Sequence, residues 1–599
     1  MRYRIAGFAA LAVAAWLLPY GLDSYAIHVV NVIILFALLA VGLGLAMGVG
    51  GQVNLAQVAF FGVGAYATAI LTTEAGLGFW VSAVLAVAAT AAIGLLVGTP
   101  ALRIQSHYLG IVTLGLALAF TNWVTNAQVA GGAEGISNIP VPTLPGVDLS
   151  NEYLFYYLEL IVLAGGLVFG EFVVRTGLGR RMRAMRDDAL AAGALGAEVP
   201  MLRMTAFLLA SVYGGVAGVL YAGLIRYVAP ESFGIANMFL LLAMVIIGGR
   251  QSLIGCVVGA VGLSVVRELL VDHPTYAQVA YGSVVVLTVV FAPTGLAGLP
   301  RRIRAAVGRR GAVAGRLGPF QPYERGDAPP ADAPAVLRAD DVHMSFRGLK
   351  ALDGVTLTVR QGEIRGIVGP NGSGKTTLFN VISGLYRPTG GRVEFGGRDV
   401  TGLPPYRLAR AGISRTFQNL RLFGDLTVRE NILVALDRSR TVDGWRYLLR
   451  PLSVVRGDRR LRARADEVLD RYGLTAFAGQ PPRSLPYGTQ RRVEIARAVA
   501  ARPRLLLLDE PAAGLNGDEV RQLGEMVRSI RDSGITVVVI EHNMGLVMSL
   551  CEHITVLASG AVIAEGSPAE VAAAPAVIEA YLGDSMSTDD VELPTEVNR

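Results

Sequence analysis

The chain has 599 residues, a length that implies two or more domains, and 52% of them are hydrophobic against 17% charged. Charge is unevenly placed: residues 1–300 carry 12 Arg and 13 Asp+Glu, and 301–599 carry the other 41 basic and 34 acidic residues. The first half reads as a membrane domain and the second as a soluble one. The mild basic excess belongs beside apolar spans, where Arg faces anionic membrane lipid and sets orientation, and it points to no nucleic-acid partner. The two cysteines, Cys256 and Cys551, are far apart in sequence, which excludes a disulfide framework and suits a reduced cytosolic setting.

The opening "MRYRIAGFAALAVAAWLLPYGL" is basic, then apolar, and runs into a second apolar span without a clear small-residue cleavage site. It is expected to stay as a first helix. Segments long enough to span fall at about 5–22, 26–48, 56–73, 79–99, 107–127, 153–173, 204–225, 235–249, 251–271 and 276–297. The shortness of 56–73 and 235–249 makes the total of about ten uncertain by two. Arg2 and Arg4 place the N-terminus inside, and six Arg between Arg175 and Arg203 make that loop cytoplasmic. The loop 128–152 has no Lys or Arg and falls outside, and Arg301, Arg302 and Arg304 bring the last exit inside. Ten spans with both ends inside satisfy all of these. Within "MGVGGQVNLAQVAFFGVGAY" (47–66), Gln52, Asn54 and Gln57 sit among glycines. Either a broken helix lines a solute path here, or the helices pack closely with satisfied amides. The span 112–128 has no acidic residue or Lys at its middle, which favours an energy source elsewhere. In the loop 175–203, "RAMRDDALAAGALG" predicts a short helix with a small-residue face suited to docking in a groove, the alternative being an ordinary positive-inside loop.

Residues 301–335 are rich in Gly, Pro, Ala and Arg without a sustained period. They read as a semi-flexible linker between a membrane domain (1–300) and a soluble domain (336–585), with a disordered tail at 586–599. In the soluble domain "GEIRGIVGPNGSGKTTLF" (362–379) reads strand, Gly-rich loop, helix. Gly369, Gly372 and Gly374 let backbone N–H groups close on phosphates, with Asn371 and Thr377 in the same stretch, and the helix N-terminus adds its positive end. Lys375 reaches the β- and γ-phosphates, and Thr376 is placed to ligate Mg²⁺. Only Lys350 and Lys375 are lysines, against 51 arginines. A compact ammonium fits inside such a loop where a guanidinium fork does not.

Downstream, "RLLLLDEP" (504–511) is an apolar strand ending in Asp509, a candidate Mg²⁺ ligand, and Glu510, a candidate for polarising the attacking water. "TVVVIEHN" (536–543) is a second buried strand with His542 at its C-terminal end, where α/β sheets gather ligands. Gln418 follows a short strand in "RTFQN" and can reach both the metal and the water. Phe346 lies 23 residues before Gly369 and is a candidate for stacking on adenine.

Taken in order, the phosphate loop, Gln418, "LPYGTQ" (485–490), Asp509–Glu510, "AAGLN" and His542 resemble the ATP-binding cassette family over roughly 336–583. The family's signature is Leu-Ser-Gly-Gly-Gln; this chain keeps Leu485, Gly488 and Gln490, with Pro486 for the serine and Tyr487 for a glycine. "RTFQNLRLF", "IEHNM" and "AYLG" are similar to an ATPase of the branched-chain amino acid importers. "GGQVNLAQVAFFGVGAY", "SHYLGIVTLGLA" and "GLGRRMRAMRDDALAAGALG" resemble a permease of that system over about 25–298. The resemblance implies a polytopic α-helical membrane domain fused to an α/β P-loop ATPase with a helical subdomain. It further implies ATP and Mg²⁺ as cofactors and a place in the cytoplasmic membrane with the ATPase in the cytoplasm.

The expected activity is ATP-driven import of hydrophobic amino acids, or of urea and short amides, whose permeases are similar. An exporter is the alternative, but the family's exporters usually have six spans with long cytoplasmic extensions. A non-hydrolysing cassette would have lost Lys375, Asp509, Glu510 or His542, and all are present. The resemblance implies a second permease subunit, a second ATPase and an extracytoplasmic solute-binding protein, and Pro486 and Tyr487 in this chain's signature lead us to expect a partner ATPase with an intact serine signature.

Overall fold

Apolar runs in the first half of the chain fold as helices; the short apolar runs of the second half fold as buried strands. The computed structural model describes residues 13–101, 106–145, 147–271, scattered positions between 279 and 298, 316–324, 333–437 and 451–586. The chain divides into two compact units, Met1–Arg186 with Pro200–Val313, and Asp187–Val199 with Ala314–Arg599.

Helices of the first unit are α1 (Ser24–Leu43), α2 (Gln57–Thr73), α3 (Phe79–Ala101), α4 (Ser106–Asn126), α5 (Glu152–Arg175), α6 (Gly177–Asp187), α8 (Val199–Ile225), α9 (Ile235–Gly248) and α10 (Leu253–Leu269); α7 (Ala189–Ala194) belongs to the second. Among the described residues six helical stretches are long and apolar enough to cross a membrane: Ser24–Val49, Phe79–Thr99, Tyr108–Asn126, Glu152–Arg175, Val199–Ile225 and Pro230–Gly248. Gln57–Thr73 is apolar but shorter. The segments 5–22 and 276–297, read from sequence as spans, lie only partly within the described residues, and most of the linker and the tail after 586 lie outside them. Asp23, Asn151 and Ser252 cap α1, α5 and α10 by accepting first-turn N–H groups. Helices α2 and α8 cross in backbone contact: a Cβ at Gly64 would lie 2.4 Å from Gly215 O, and one at Gly218 would lie 2.2 Å from Phe61 O. Only glycine permits this approach.

Between α1 and α2 the chain leaves the helix. Gly44–Val49 winds as a wider π-turn, and 50–56 has no regular structure. Asn54 Nδ2 donates to Gln57 Oε1, Asn54 Oδ1 accepts from Ala56 N–H, and Gln57 Nε2 donates to Ala210 O at 2.9 Å. Two of the three amides are therefore satisfied by packing, whereas both amide atoms of buried Gln52 have no partner. The helix is broken here, and the break is only partly self-satisfied. Seven residues into α5, Glu159 is fully buried with neither carboxyl oxygen hydrogen-bonded; the sequence reading passed over it.

Strands of the second unit are β1 (Ala335–Phe346), β2 (Leu349–Arg360), β3 (Ile364–Val368), β4 (Gly390–Phe395), β5 (Arg398–Asp399), β6 (Ile413–Arg415), β7 (Leu505–Asp509), β8 (Thr536–Ile540), β9 (His553–Ala558) and β10 (Ala561–Gly566). They form a six-stranded sheet, β10-β9-β3-β8-β7-β6, and a four-stranded antiparallel one, β2-β1-β4-β5. In the larger sheet β9, β3, β8, β7 and β6 are parallel neighbours. Every residue of β3, β7 and β8 is buried, as expected for strands covered on both faces. The helices are α11 (Lys375–Ile382), α12 (Pro405–Ala411), α13 (Val428–Leu436), α14 (Pro451–Arg471), α15 (Tyr487–Ala500), α16 (Gly517–Asp532), α17 (Met544–Leu550), α18 (Pro568–Ala573) and α19 (Pro575–Met586). The main core joins both sheets to α11 through Leu337, Val355, Ile367, Leu378, Phe379 and Leu507.

Two sequence expectations are corrected. "RAMRDDALAAGALG" is two helices, not one, because Asp188 takes an extended backbone and accepts the Ala191 N–H, which starts α7 afresh. Residues 316–324, read as tether, lie packed on the second unit, where Gly318 N–H donates to Gly473 O at 2.9 Å and the Phe320 ring meets Tyr472.

Candidate active site

Parallel register brings three strand ends side by side. Ile540 of β8 pairs with Asp509 of β7 on one side and with Ile367 of β3 on the other. The chain then leaves β3 into the loop Gly369–Gly374, β7 into Glu510, and β8 into Glu541–His542. The loop turns where only glycine fits. Gly374 has φ +100°, and a Cβ there would lie 2.6 Å from Ala351 O; Gly369 has φ +150°, with Leu557 O 2.0 Å away. Gly374 is the N-cap of α11, so the positive end of that helix faces the loop.

A cavity of about 500 Å³ opens here. Asn371, Gly372, Gly374, Lys375, Thr376 and Thr377 line one side, and Gln418, Glu510 and His542 line it from other elements. Lys375 Nζ donates to Gly369 O and Pro370 O, both at 2.7 Å. Burial lowers its pKa, and the Glu510 carboxylate partly opposes this. Glu510 gathers the polar groups opposite: Gln418 Nε2 donates to Glu510 Oε2 at 3.0 Å, and His542 Nε2 lies 3.2 Å from Oε1. The Glu510 backbone is left-handed, with φ +44°, a conformation that costs a non-glycine residue about 1 kcal/mol or more. It is held by its N–H on Ile540 O and by Arg491, which donates to its carbonyl; both distances are 2.9 Å.

Asp509 does not line the cavity. It is buried, with Oδ2 paired to Arg415 at 2.8 Å and Oδ1 without a partner. Phe346, at the end of β1, is half exposed and packs edge-on against Tyr386; it does not line the cavity. Gly488 and Gln490 also lie away from it. A Cβ at Gly488 would meet Glu519, and the Gln490 amide turns back onto Leu485 O at 2.8 Å. Counted from Leu485, the fifth signature position is Thr489, and Gln490 lies one residue beyond. Pro486 is the N-cap of α15, with no side-chain hydrogen bond.

Sequence reasoning missed two buried arginines. Arg415 holds Asp509, Asn380 and Ser383, and burial lowers its pKa against the opposing pull of Asp509. Arg491 donates to Phe417 O, Gln418 O and Glu510 O and pairs with Glu494 at 2.7 Å. Breaking a buried pair leaves its partner uncompensated. Arg415→Ala is therefore expected to destabilise the soluble unit by about 3 kcal/mol, seen as an earlier denaturant midpoint of its unfolding transition; an unchanged midpoint refutes this.

A second polar cluster involves α7. Asp188 pairs with Arg421 at 2.6 Å, Asp187 accepts the Asp425 N–H at 2.9 Å, and Glu198 pairs with Arg410 at 3.3 Å. Ala191 and Ala192 are fully buried.

A glycine loop between a central parallel strand and a helix, facing a carboxylate, an amide and an imidazole from neighbouring strand ends, defines a nucleotide-hydrolysing cassette. Comparison with known proteins extends this to the whole chain. Residues 25–292 match the permease component of the branched-chain amino acid transport system, 352–513 match the ABC transporter domain, and 561–586 match the branched-chain amino acid ATP-binding cassette transporter domain. The chain is 43% identical over 251 residues to the high-affinity branched-chain amino acid transport ATP-binding protein BraF of Pseudomonas aeruginosa, covering 42% of this chain and 98% of that one. It is 33% identical over 319 residues to the high-affinity branched-chain amino acid transport system permease protein LivM of Salmonella typhimurium, covering 49% of this chain and 74% of that one. A crystal structure of a nucleotide-free ATP-binding cassette from an ABC transporter aligns at 31% identity, 41% of this chain and 99% of that one, with a TM-score of 0.37. The chain belongs to the branched-chain amino acid family of ABC transporters, with a permease and an ATP-binding cassette in one polypeptide. It is a multi-pass membrane protein whose ATPase unit is cytoplasmic.

Proposed function

We propose that the chain imports branched-chain and related hydrophobic amino acids across the cytoplasmic membrane, driven by ATP hydrolysis at the cavity above Lys375. The observation that carries this reading is the convergence of Gln418 and His542 on Glu510 across the cavity from the phosphate loop, in a chain that also carries the matching permease. Lys375 exchanges its loop carbonyls for the β- and γ-phosphate oxygens, and backbone N–H groups from Gly372 to Thr377 hold the rest of the triphosphate. Glu510 orients the attacking water and accepts its proton, with His542 and Gln418 fixing the carboxylate. The free Oδ1 of Asp509 and the hydroxyl of Thr376 suit Mg²⁺, whose charge would offset that developing on the phosphates; among the described residues no cluster of three His, Cys, Asp or Glu could bind a metal by itself. One cassette and one permease per chain call for a second of each and for a solute-binding protein outside.

The test is uptake into proteoliposomes carrying the chain with its partner subunits and binding protein. Leucine should accumulate only with ATP, and excess urea or acetamide should not compete. Equal competition by urea selects the amide reading, and ATP-driven loss of preloaded leucine selects export.

Coupling is assigned to α7. Ala192→Trp places a bulky ring where no exposed surface exists, so uptake should fall at least tenfold while ATP hydrolysis continues. Gly193→Ala should be neutral, because a Cβ there meets nothing within 4 Å. Full uptake by the Trp variant rejects the assignment.

A further inference from the structure

The segment Arg316–Glu324 is a clasp between two parts of the second unit. Its backbone pairs with the turn after α14: Gly318 N–H donates to Gly473 O at 2.9 Å, and Gln321 N–H donates to Arg471 O at 2.8 Å. The approach is close enough that a Cβ at Gly473, where φ is +64°, would lie 2.2 Å from Gly318 O. Two aromatic rings fasten it. Phe320 packs on Tyr472 with ring centroids 5.2 Å apart, and the Arg471 guanidinium lies 4.3 Å above the Tyr323 ring. Tyr323 N–H then donates to Ser529 Oγ at 2.7 Å, on α16. Arg492, on the helix that begins with the signature, donates to Gly318 O at 3.1 Å and to Gln522 Oε1 of α16 at 2.9 Å. Leu317 lines a small cavity together with Gly488, Arg491 and Arg492. The clasp thus touches α14, α15 and α16 at once.

Helices α14 and α15 pack together with α13, and α15 opens on the signature; α16 packs against β8 and α17 of the nucleotide-binding part. A signature acts on a nucleotide only if its helix is correctly angled to that part. With Pro486 and Tyr487 in place of serine and glycine, the signature has fewer groups of its own to fix that angle on contact.

We propose that Arg316–Glu324 is a positioning element for the signature helix, holding α14 and α15 against α16 so that "LPYGTQ" is aligned before the opposite nucleotide arrives. The inference rests on the cassette working as an ATPase, which the rate of the unaltered transporter checks by itself. The segment begins sixteen residues after the end of the membrane half in sequence, at Arg316.

The test uses the full chain assembled with its partner subunits. Phe320→Ala with Tyr323→Ala should lower kcat for ATP about tenfold, while equilibrium binding of a fluorescent ATP analogue to the phosphate loop stays within twofold. Ser529→Ala, which removes one acceptor and leaves the clasp sequence intact, should lower kcat by a smaller factor in the same direction. Tyr323→Phe keeps the ring and the N–H and should retain the full rate. Spin labels at Arg464→Cys on α14 and Glu525→Cys on α16, both exposed, should show a broader distance distribution in the double variant than in the unaltered chain; Cys256 and Cys551 are buried. A kcat within twofold of normal, an ATP affinity that falls in step with the rate, or an unchanged distance distribution would each overturn the proposal. If the double variant does not fold, Ser529→Ala decides it against Tyr323→Phe as the control: a kcat below that of Tyr323→Phe with unchanged ATP-analogue affinity supports the proposal, and a kcat equal to it overturns the proposal.

Discussion

Replacing Glu510 with Gln should leave nucleotide bound and turnover almost abolished, with ATPase activity of the assembled transporter down by about 10²–10⁴-fold. The amide is nearly isosteric and can keep one hydrogen bond with Gln418 or His542, so the site keeps its shape. What it loses is a proton acceptor and a negative charge beside the attacking water. Because Lys375 and the loop N–H groups are untouched, a fluorescent ATP analogue should bind within twofold of normal, and bound ATP should persist unhydrolysed. A variant that keeps near-normal hydrolysis removes Glu510 from the role.

The second large effect is an asymmetry between two cassettes. Pro486 offers neither hydroxyl nor N–H, and Tyr487 stands partly exposed where glycine would allow close approach. Each hydrogen bond to phosphate lost from such a signature weakens its site by about 1–3 kcal/mol, roughly 5- to 150-fold. Two copies of this cassette would make two weak sites. A heterodimer pairs the intact loop and Glu510 of this chain with a serine signature from its partner and leaves the weak combination on the partner's loop. Removing Glu510 should therefore cost at least tenfold more turnover than removing the partner's equivalent glutamate. Equal losses, or full activity from this chain alone as a homodimer, defeat the idea.

The nucleotide loop was legible because its chemistry is local: a strand, three spaced glycines and a lysine among arginines say the same thing within eighteen residues. Asp509, Glu510 and His542 were legible because each ends an apolar strand, and strand ends converge in a parallel sheet. Arg415 and Arg491 were not. The chain writes nearly every basic residue as arginine, and nothing in the immediate neighbourhood marks which ones are buried beneath a catalytic loop. The clasp was illegible for a different reason. Gly and Pro read as freedom, and its order depends on Gly473 and Tyr472, about 150 residues downstream. The interval that singled out Phe346 said nothing about which way its ring turns, and here it packs against Tyr386. In the membrane unit, hydropathy located the helices but not the fate of the amides at 52–57, which depends on backbone carbonyls such as Ala210 O from another helix.

Arg491 ties the signature helix to the rim of the nucleotide cavity. It stands within the first turns of the helix that opens on the signature, yet its guanidinium grips the carbonyl oxygens of Gln418 and Glu510. In a pair of cassettes the signature answers to one ATP and Glu510 to the other. A shift of the helix at the far nucleotide is expected to move the Glu510 backbone at the near one, and for binding the reverse influence has the same magnitude. In such a pair the two nucleotides would be linked through this one side chain, and their binding is expected to be cooperative rather than additive.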